Sequence, residues 1–576
     1  MTFFFWALIT ALLGVIPLGL KQHWKAVLLT APVILFVFWL GYYIYIPSAV
    51  WPLGGLIGFS VVVLWGLIAA VLVWLDNKKI DKRNFALPIL GVLVFGGTFC
   101  SSMPFFRASS YARLLQTPVQ RQWSDDIQPV DTKHIRLVPR ELAEWQANKQ
   151  LGEVEGAIGS QFRIATEYMT IQLIKGDLWY VAPLDYNGFR SWTATEYSPG
   201  YVMVHAEDPN KQAEVKIGEK FVYTPGAFFG KNLERHLRSS GFTTLGTDIE
   251  HFELDDDNKP WWVISAYTLA CGMGCNQIDS VITVNPTTGE ATQYSLDQVP
   301  PWIDQVYPQN YIAKYIEWNG LYKDGWWNAF WSKNNTTEPV NTSFVHGTDG
   351  QPYWVTDITS TNASDESLLG LYYTNARTGE NRFYRTTGGT EVAILTAVNN
   401  KVAYKRLHGA SPTLYNIYGV MSYVVPLLGE SHTFQGVAIA RIDNQQVVEA
   451  IDLNAALEAF QGLMIKHETA APDATHQTTK ATGKVMRFSA DVRGQDTSYS
   501  LIVDSVLNQH IFTGTSRLSP ELPLTQVGDT VKIEFIESEN IVVPLFGFEN
   551  VTIEIPSPAI PPASAPASTS APTTQP

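Results

Sequence analysis

The chain has 576 residues, with 54 acidic and 40 basic side chains, a formal charge of −14 and a pI near 5.3. That balance argues against a nucleic-acid partner, because phosphate recognition needs a clustered Lys/Arg footprint. Only three cysteines occur, Cys100, Cys271 and Cys275.

Four long apolar runs open the chain, at 3–20, 26–46, 53–75 and 85–105, joined by three short connectors. Each is close to the ~20 residues that a helix needs to cross a ~30 Å hydrocarbon core. Helices are the form such runs take where no water satisfies the peptide groups. The first connector carries Lys21 and Lys25 and the third Lys78, Lys79, Lys82 and Arg83, whereas the second, 47–52, is uncharged. Basic loops stay on the cytoplasmic side. The expected topology is therefore a multi-pass anchor in a bacterial inner membrane, with everything after Arg107 extracytoplasmic and the lipid bilayer as a partner. Run 3–20 lacks the positive n-region and the A-x-A site of a cleaved signal peptide. None of the runs contains Asp, Glu, Lys, Arg or His. This favours an anchor over a transport path, which keeps ionisable groups inside the membrane.

The expected plan is a four-helix transmembrane anchor over 1–106, followed by β-rich α+β repeat modules. A first module covers 107–227, a second with an aromatic helix 228–335, and third and fourth β-hairpin modules 336–480. A small barrel of OB or SH3 type covers 481–555, and a disordered Pro/Ala/Ser/Thr tail 556–576. The modules rest on a recurring theme: a polar turn, an aromatic-Val strand, a variable loop and a second apolar strand. Its aromatic positions are Trp179, Trp262, Trp354 and Tyr423. Two of the segments also share a six-residue turn of the form N-x-x-T-G-E, at Asn285 to Glu290 and Asn375 to Glu380. Glycine in such a turn supplies a positive φ between two strands.

This combination resembles the PepSY-type modules of extracytoplasmic bacterial proteins, which pair a helix with an antiparallel sheet whose strands read "pyWvv" and "vdpkTGev". The second segment matches through an expected helix at 230–241 and strands at 261–264 and 280–284, the third through Tyr353-Trp354-Val355 and Thr378-Gly379-Glu380. The first segment lacks the turn, and the fourth has Asp443-Asn444-Gln445-Gln446 in its place. The resemblance implies an envelope module that binds or restrains another protein.

Cys271 and Cys275 flank Gly272-Met273-Gly274. An oxidising compartment would let them close a small disulfide loop, with free thiols, a redox pair or half a metal site as alternatives. A zinc site wants about four ligands, and no second Cys/His cluster accompanies the pair. Residues 300–331 are rich in aromatics, with Ile303, Val306, Ile312 and Ile316 giving a rough helical stripe. Trp318, Tyr322, Trp326, Trp327 and Trp331 stand as contact residues for a partner or a membrane surface, against the plainer expectation of rings packed in a core. The acidic run Glu253 to Asn258 offers oxygen ligands for Ca²⁺, but lacks the spacing of an EF-hand and reads more simply as a solvated turn.

No H-E-x-x-H, G-x-S-x-G, Walker or G-x-G-x-x-G motif occurs. His205, His251, His346, His408 and His432 are scattered as core or surface residues. The functional expectation is a non-enzymatic platform that binds an envelope protein, with no cofactor and no metal. The alternatives are a membrane-bound hydrolase or thiol-redox enzyme whose residues meet only in the fold, or a subunit of a transport assembly.

Overall fold

The computed structural model describes residues 99–553 apart from 155–157, 248–249, 273, 348, 362–366, 468–478, 494–495, 506–509, 517 and 536–540, together with 36, 39–41, 43, 50, 93, 96 and 97. The chain divides into two compact units, Met1–Phe460 and Gln461–Pro576.

The fold class expected from the sequence is corrected at its N-terminus. Among the described residues no helix is long and apolar enough to cross a membrane. The multi-pass and inner-membrane assignments fall with the four-helix anchor. Runs 3–20 and 53–75 lie wholly outside the described residues, and 26–46 and 85–105 largely so. At the end of the fourth run the helix does not continue. Pro104 starts a separate helix, α1 (Pro104–Ala112), of 9 residues after the extended Met103. Proline suits a first turn because its missing N–H has no intrahelical partner there. The tail 556–576 also lies outside the described residues.

The described chain is β-rich, and the first unit repeats one plan four times. Strand β1 (Val119–Arg121) lies ahead of the first repeat. That repeat has helix α2 (Arg140–Glu153), then β2 (Phe162–Ile164), β3 (Thr170–Ile174), β4 (Asp177–Tyr186), β5 (Ser198–His205) and β6 (Glu214–Phe221). The second has α3 (Leu233–Ser239) and β7 (Glu250–Leu254), β8 (Pro260–Leu269), β9 (Asn276–Val284) and β10 (Ala291–Ser295). The third has α4 (Gln309–Tyr322), β11 (Thr337–His346), β12 (Pro352–Ser360), β13 (Ser367–Leu368), β14 (Gly370–Asn375) and β15 (Asn381–Tyr384), with β1 joining β15 in parallel. Strand β16 (Gly388–Gly389) pairs β13. The fourth has α5 (Glu391–Val402), β17 (His408–Gly409), β18 (Thr413–Ile417), β19 (Val420–Leu428), β20 (Phe434–Arg441) and β21 (Val447–Ala450). In each repeat four strands form an antiparallel meander.

Register makes the repeats comparable residue by residue. Trp262 pairs with Val284, Trp354 with Thr374 and Tyr423 with Ala440, each one residue ahead of the turn between the third and fourth strands. In the first sheet that place belongs to Tyr180, opposite Val204, and not to Trp179. A shift of one residue turns a side chain to the other face of a sheet, so Trp179 is out of phase with the other three.

Both N-x-x-T-G-E turns have the same bonding. The Gly289 N–H donates to the Asn285 carbonyl and the Gly379 N–H to the Asn375 carbonyl, both at 2.9 Å. Asn285 Oδ1 accepts from the N–H groups of Thr287 and Thr288, as Asn375 Oδ1 does from Arg377 and Thr378. The glycines have φ of +75° and +72°. Arg441 to Gln446 closes the same six-residue loop, with Gln445 at φ +55° in the glycine's place. In the first sheet His205 Nδ1 takes the asparagine's part, accepting from the N–H groups of Glu207 and Asp208.

The second residue of each turn then anchors the chain that leads into the same repeat's helix. The N–H groups of Leu137 and Val138 donate to the Ala206 carbonyl, those of Val222 and Tyr223 to Pro286, those of Val306 and Tyr307 to Ala376, and that of Gly389 to Ile442. The buried aromatics find their polar partners at this junction, as indole N–H and phenol O–H groups must. Trp262 Nε1 donates to the Tyr223 carbonyl at 2.9 Å, Trp354 Nε1 to Tyr307 at 2.7 Å, and the Tyr180 hydroxyl to Val138 at 3.2 Å.

Helix side chains fill the gaps between sheets. Leu233 and Leu237 of α3 pack with Val181 of the first sheet and Phe252 and Trp262 of the second. Ile394, Val398 and Val402 of α5 pack with Val355 and Tyr373 of the third sheet and Tyr423 of the fourth. Each fully buried leucine or isoleucine contributes about 1.5–3 kcal/mol by leaving water. Helix α6 (Leu453–His467) spans the division between the units. The second unit is a closed barrel of β22 (Thr479–Arg493), β23 (Asp496–Val503), β24 (Ile511–Thr515), β25 (Thr530–Phe535) and β26 (Val542–Asn550), ordered β22-β23-β24-β26-β25 around Phe512, Val531 and Ile533.

Candidate functional site

The first strands of the four sheets and the starts of three helices meet at a cleft of about 940 Å³. Thr170 and Ile171 of β3, Glu250 and His251 of β7, and Val340 to Phe344 of β11 line it, with Ser411 and Pro412 just ahead of β18. Arg140, Gln309, Asn310, Glu391 and Val392 reach it from the first turns of α2, α4 and α5.

Buried polar groups tie the sheets of its walls together. Glu253, 0% exposed, accepts from His251 Nε2 at 2.9 Å, from the N–H groups of Asp304 and Gln305 at 3.0 and 3.2 Å, and from Gln172 Nε2 at 3.2 Å. It therefore orients His251 on the cleft wall and pins the strap between the second and third repeats. Side chains also occupy backbone groups of the strand edges. Gln172 bonds both the N–H and the carbonyl of Leu254, the Thr170 hydroxyl donates to Phe252, and Gln309 donates to Thr342. Those edges are thereby closed to an added strand.

The charged lining groups are held in different environments. Arg136, 8% exposed, donates to Thr413 Oγ1 at 2.6 Å and to the Phe344 carbonyl at 3.4 Å. Arg140 donates to Glu144 Oε1 at 3.0 Å and to the Thr166 carbonyl. The Arg163 guanidinium, bonded to Glu167, holds that carboxyl below its ordinary range. Burial instead pushes Glu391 up to about 7 and its neighbour Asp357 up to about 6.

A second cluster, Asp177, His205 and Glu207, has ligand atoms within 4.8 Å of one another. It does not suit a metal. His205 Nδ1 already accepts two backbone N–H groups, so the neutral ring carries its proton on Nε2, the atom 3.7 Å from Asp177. Burial, with Lys211 adding to it, lowers the His205 pKa and favours that neutral ring. No lone pair is left for an ion.

Of the residues named from sequence, His251 and Trp354 line the cleft, and the others fall elsewhere. Cys271 and Cys275 are joined in a disulfide, buried against Tyr111 with Trp318 and Tyr322. Gly272, at φ +110°, lies against Ser102 and leaves no room for a side chain. The pair thus braces α1 on the body of the first unit. Trp326, Trp327 and Trp331 sit beyond α4 in an aromatic patch with Phe105 and Phe330. Trp327, Phe330 and Trp331 are 66, 60 and 79% exposed. Asp255, of the acidic run, caps the turn into β8 by accepting from Asp257, Lys259 and Trp261. None of these lines the cleft. The cleft residues come from separate segments between Arg136 and Pro412, and no local spacing announces them.

No protein-family model matches the chain, and no curated protein matches it. Solved structures resemble it weakly. A protein of unknown function from Dyadobacter fermentans is 10% identical over 67% of this chain and 93% of its own, with a TM-score of 0.18. A GH43 β-1,3-galactosidase solved with galactodeoxynojirimycin is 9% identical over 66% and 92%, with a TM-score of 0.19. A Trypanosoma rangeli sialidase solved with 2,3-difluorosialic acid is 9% identical over 67% and 53%, with a TM-score of 0.17. Scores this low carry no argument about fold or function.

Proposed function

We propose that the first compact unit is a binding module that holds a polyhydroxylated ligand, the size of a short oligosaccharide, in the cleft between its four sheets. The observation behind this reading is the cleft's lining. Carboxylates (Glu167, Glu250) accept hydrogen bonds, amides and guanidinium groups (Asn310, Asn341, Arg140) donate them, and Tyr168 offers apolar ring surface. A sugar presents the matching pattern, hydroxyls that donate and accept around an apolar C–H face. A volume of about 940 Å³ is at the upper end of the usual range for ligand sites. A bound peptide strand is the weaker reading, since side chains already occupy the nearby edges.

The test is calorimetric titration of the full chain with cellohexaose, xylohexaose, chitohexaose and a galactan hexasaccharide, beside a set of capped hexapeptides. At least one hexasaccharide should bind. Asn310→Ala and Arg140→Ala should each weaken binding about 2- to 12-fold, the size of one net hydrogen bond. Heat from the peptides alone, or affinity indifferent to both substitutions, would sink the proposal.

A further inference from the structure

One corner of the cleft is lined by Glu391 with the buried Asp357 beside it, and among the described residues no cation is bonded to either carboxyl group. Glu391 opens α5, and its backbone N–H donates to Asp357 Oδ2 at 2.7 Å. The buried Tyr423 hydroxyl donates to the same oxygen at 2.5 Å. Asp357 is 3% exposed. Asn341 donates to Glu391 Oε2. Among the described residues Oε1 has no partner, and Glu391 lines the cleft.

The groups facing this pair do not neutralise it. Arg136 is the cation nearest in effect, but its guanidinium is committed to Thr413 and Phe344. Around the rest of the cleft stand Arg140, Glu167 and Glu250, whose formal charges sum to −1, together with His251. Partial burial of Glu391 disfavours its charged form, and the Asp357 carboxyl, held beside it by the hydrogen bond from the Glu391 N–H, adds a like charge that disfavours it further. Asp357 Oδ2 accepts two hydrogen bonds, which favours charge on Asp357 and leaves the proton to Glu391.

We propose that Glu391 is held protonated beside Asp357 and donates that proton as a hydrogen bond to an acceptor oxygen of the ligand. This rests on the binding function proposed above. The upward shift of Glu391, to about 7, agrees with it and sets the pH range in which the effect is read.

The sign follows directly. The donor exists while Glu391 is protonated, so affinity is full below its pKa and falls as pH rises through it. Titrating the tightest-binding of the four hexasaccharides against the full chain from pH 5 to 9 should show affinity falling above pH ~7, by up to about tenfold per unit, the slope of one proton. Glu391→Gln keeps a donor at every pH and should bind as the wild type does at pH 5, with a flat profile. Asp357→Asn removes the neighbouring charge and should move the fall to lower pH, which keeps the test open if one variant folds poorly. A flat wild-type profile, or a fall that persists in Glu391→Gln, overturns the assignment and leaves ligand binding standing. Absence of binding at every pH overturns both.

Discussion

Replacing Glu253 with alanine should destabilise the first unit by about 3–7 kcal/mol. The carboxylate is fully buried and accepts from four donors: His251, Gln172 and the backbone N–H groups of Asp304 and Gln305. A buried donor left without a partner costs about 1–3 kcal/mol. The two side-chain donors have rotamers that turn toward other partners, but the two backbone N–H groups are fixed by the strap and contribute about 2–6 kcal/mol between them. The vacated space adds roughly 1 kcal/mol. Glu253→Gln keeps one acceptor oxygen but turns an NH₂ group toward donors, so it should cost about half as much. All 18 tryptophans precede residue 461, so tryptophan fluorescence during urea unfolding reports on the first unit alone. The midpoint should fall at unchanged slope, and ligand binding should weaken because His251 loses its orientation. A Glu253→Ala protein within about 1 kcal/mol of wild type would refute the view that this carboxylate knits the second and third repeats together.

Two further substitutions test the repeat and the brace. A non-glycine residue at positive φ costs about 1–2 kcal/mol, so Gly379→Ala should destabilise by that amount and Gln445→Gly should stabilise by somewhat less; urea midpoints moving the other way would show that the two turns are not equivalent. Removing the Cys271–Cys275 bond by a double alanine substitution should cost about 2 kcal/mol, the chain-entropy value for so short a loop. The same variant should increase proteolysis near Pro104 as α1 loosens from the body; an unchanged cleavage pattern would refute the bracing role.

The β-rich character of the chain beyond Arg107 was readable from aromatic and β-branched runs bounded by turn residues, because strand alternation and turn chemistry are local properties. The N-x-x-T-G-E pattern was readable for the same reason: a positive φ next to a side-chain acceptor depends on six adjacent residues. The same turn at Arg441 to Gln446 was not, since Gln445 adopts the glycine's conformation without its signature and only the hydrogen bonds show it. Nor was the phase of the first repeat, where Tyr180 and not Trp179 holds the shared register, because register is decided by the partner strand.

Apolar length misled at the N-terminus. Twenty apolar residues satisfy the criterion for a membrane span, yet among the described residues no helix is long and apolar enough to cross one, and near the end of the fourth run a separate helix begins at Pro104. Composition, by itself, determined the acidic net charge, and local residue order the turn-bounded strands. Tertiary structure alone decided the cleft. Arg136, His251, Asn341 and Glu391 lie far apart in the chain, and each looks ordinary among its neighbours. Their chemistry depends on burial and on what faces them across a gap. Both are set by how the four sheets pack, a property that no window of sequence contains.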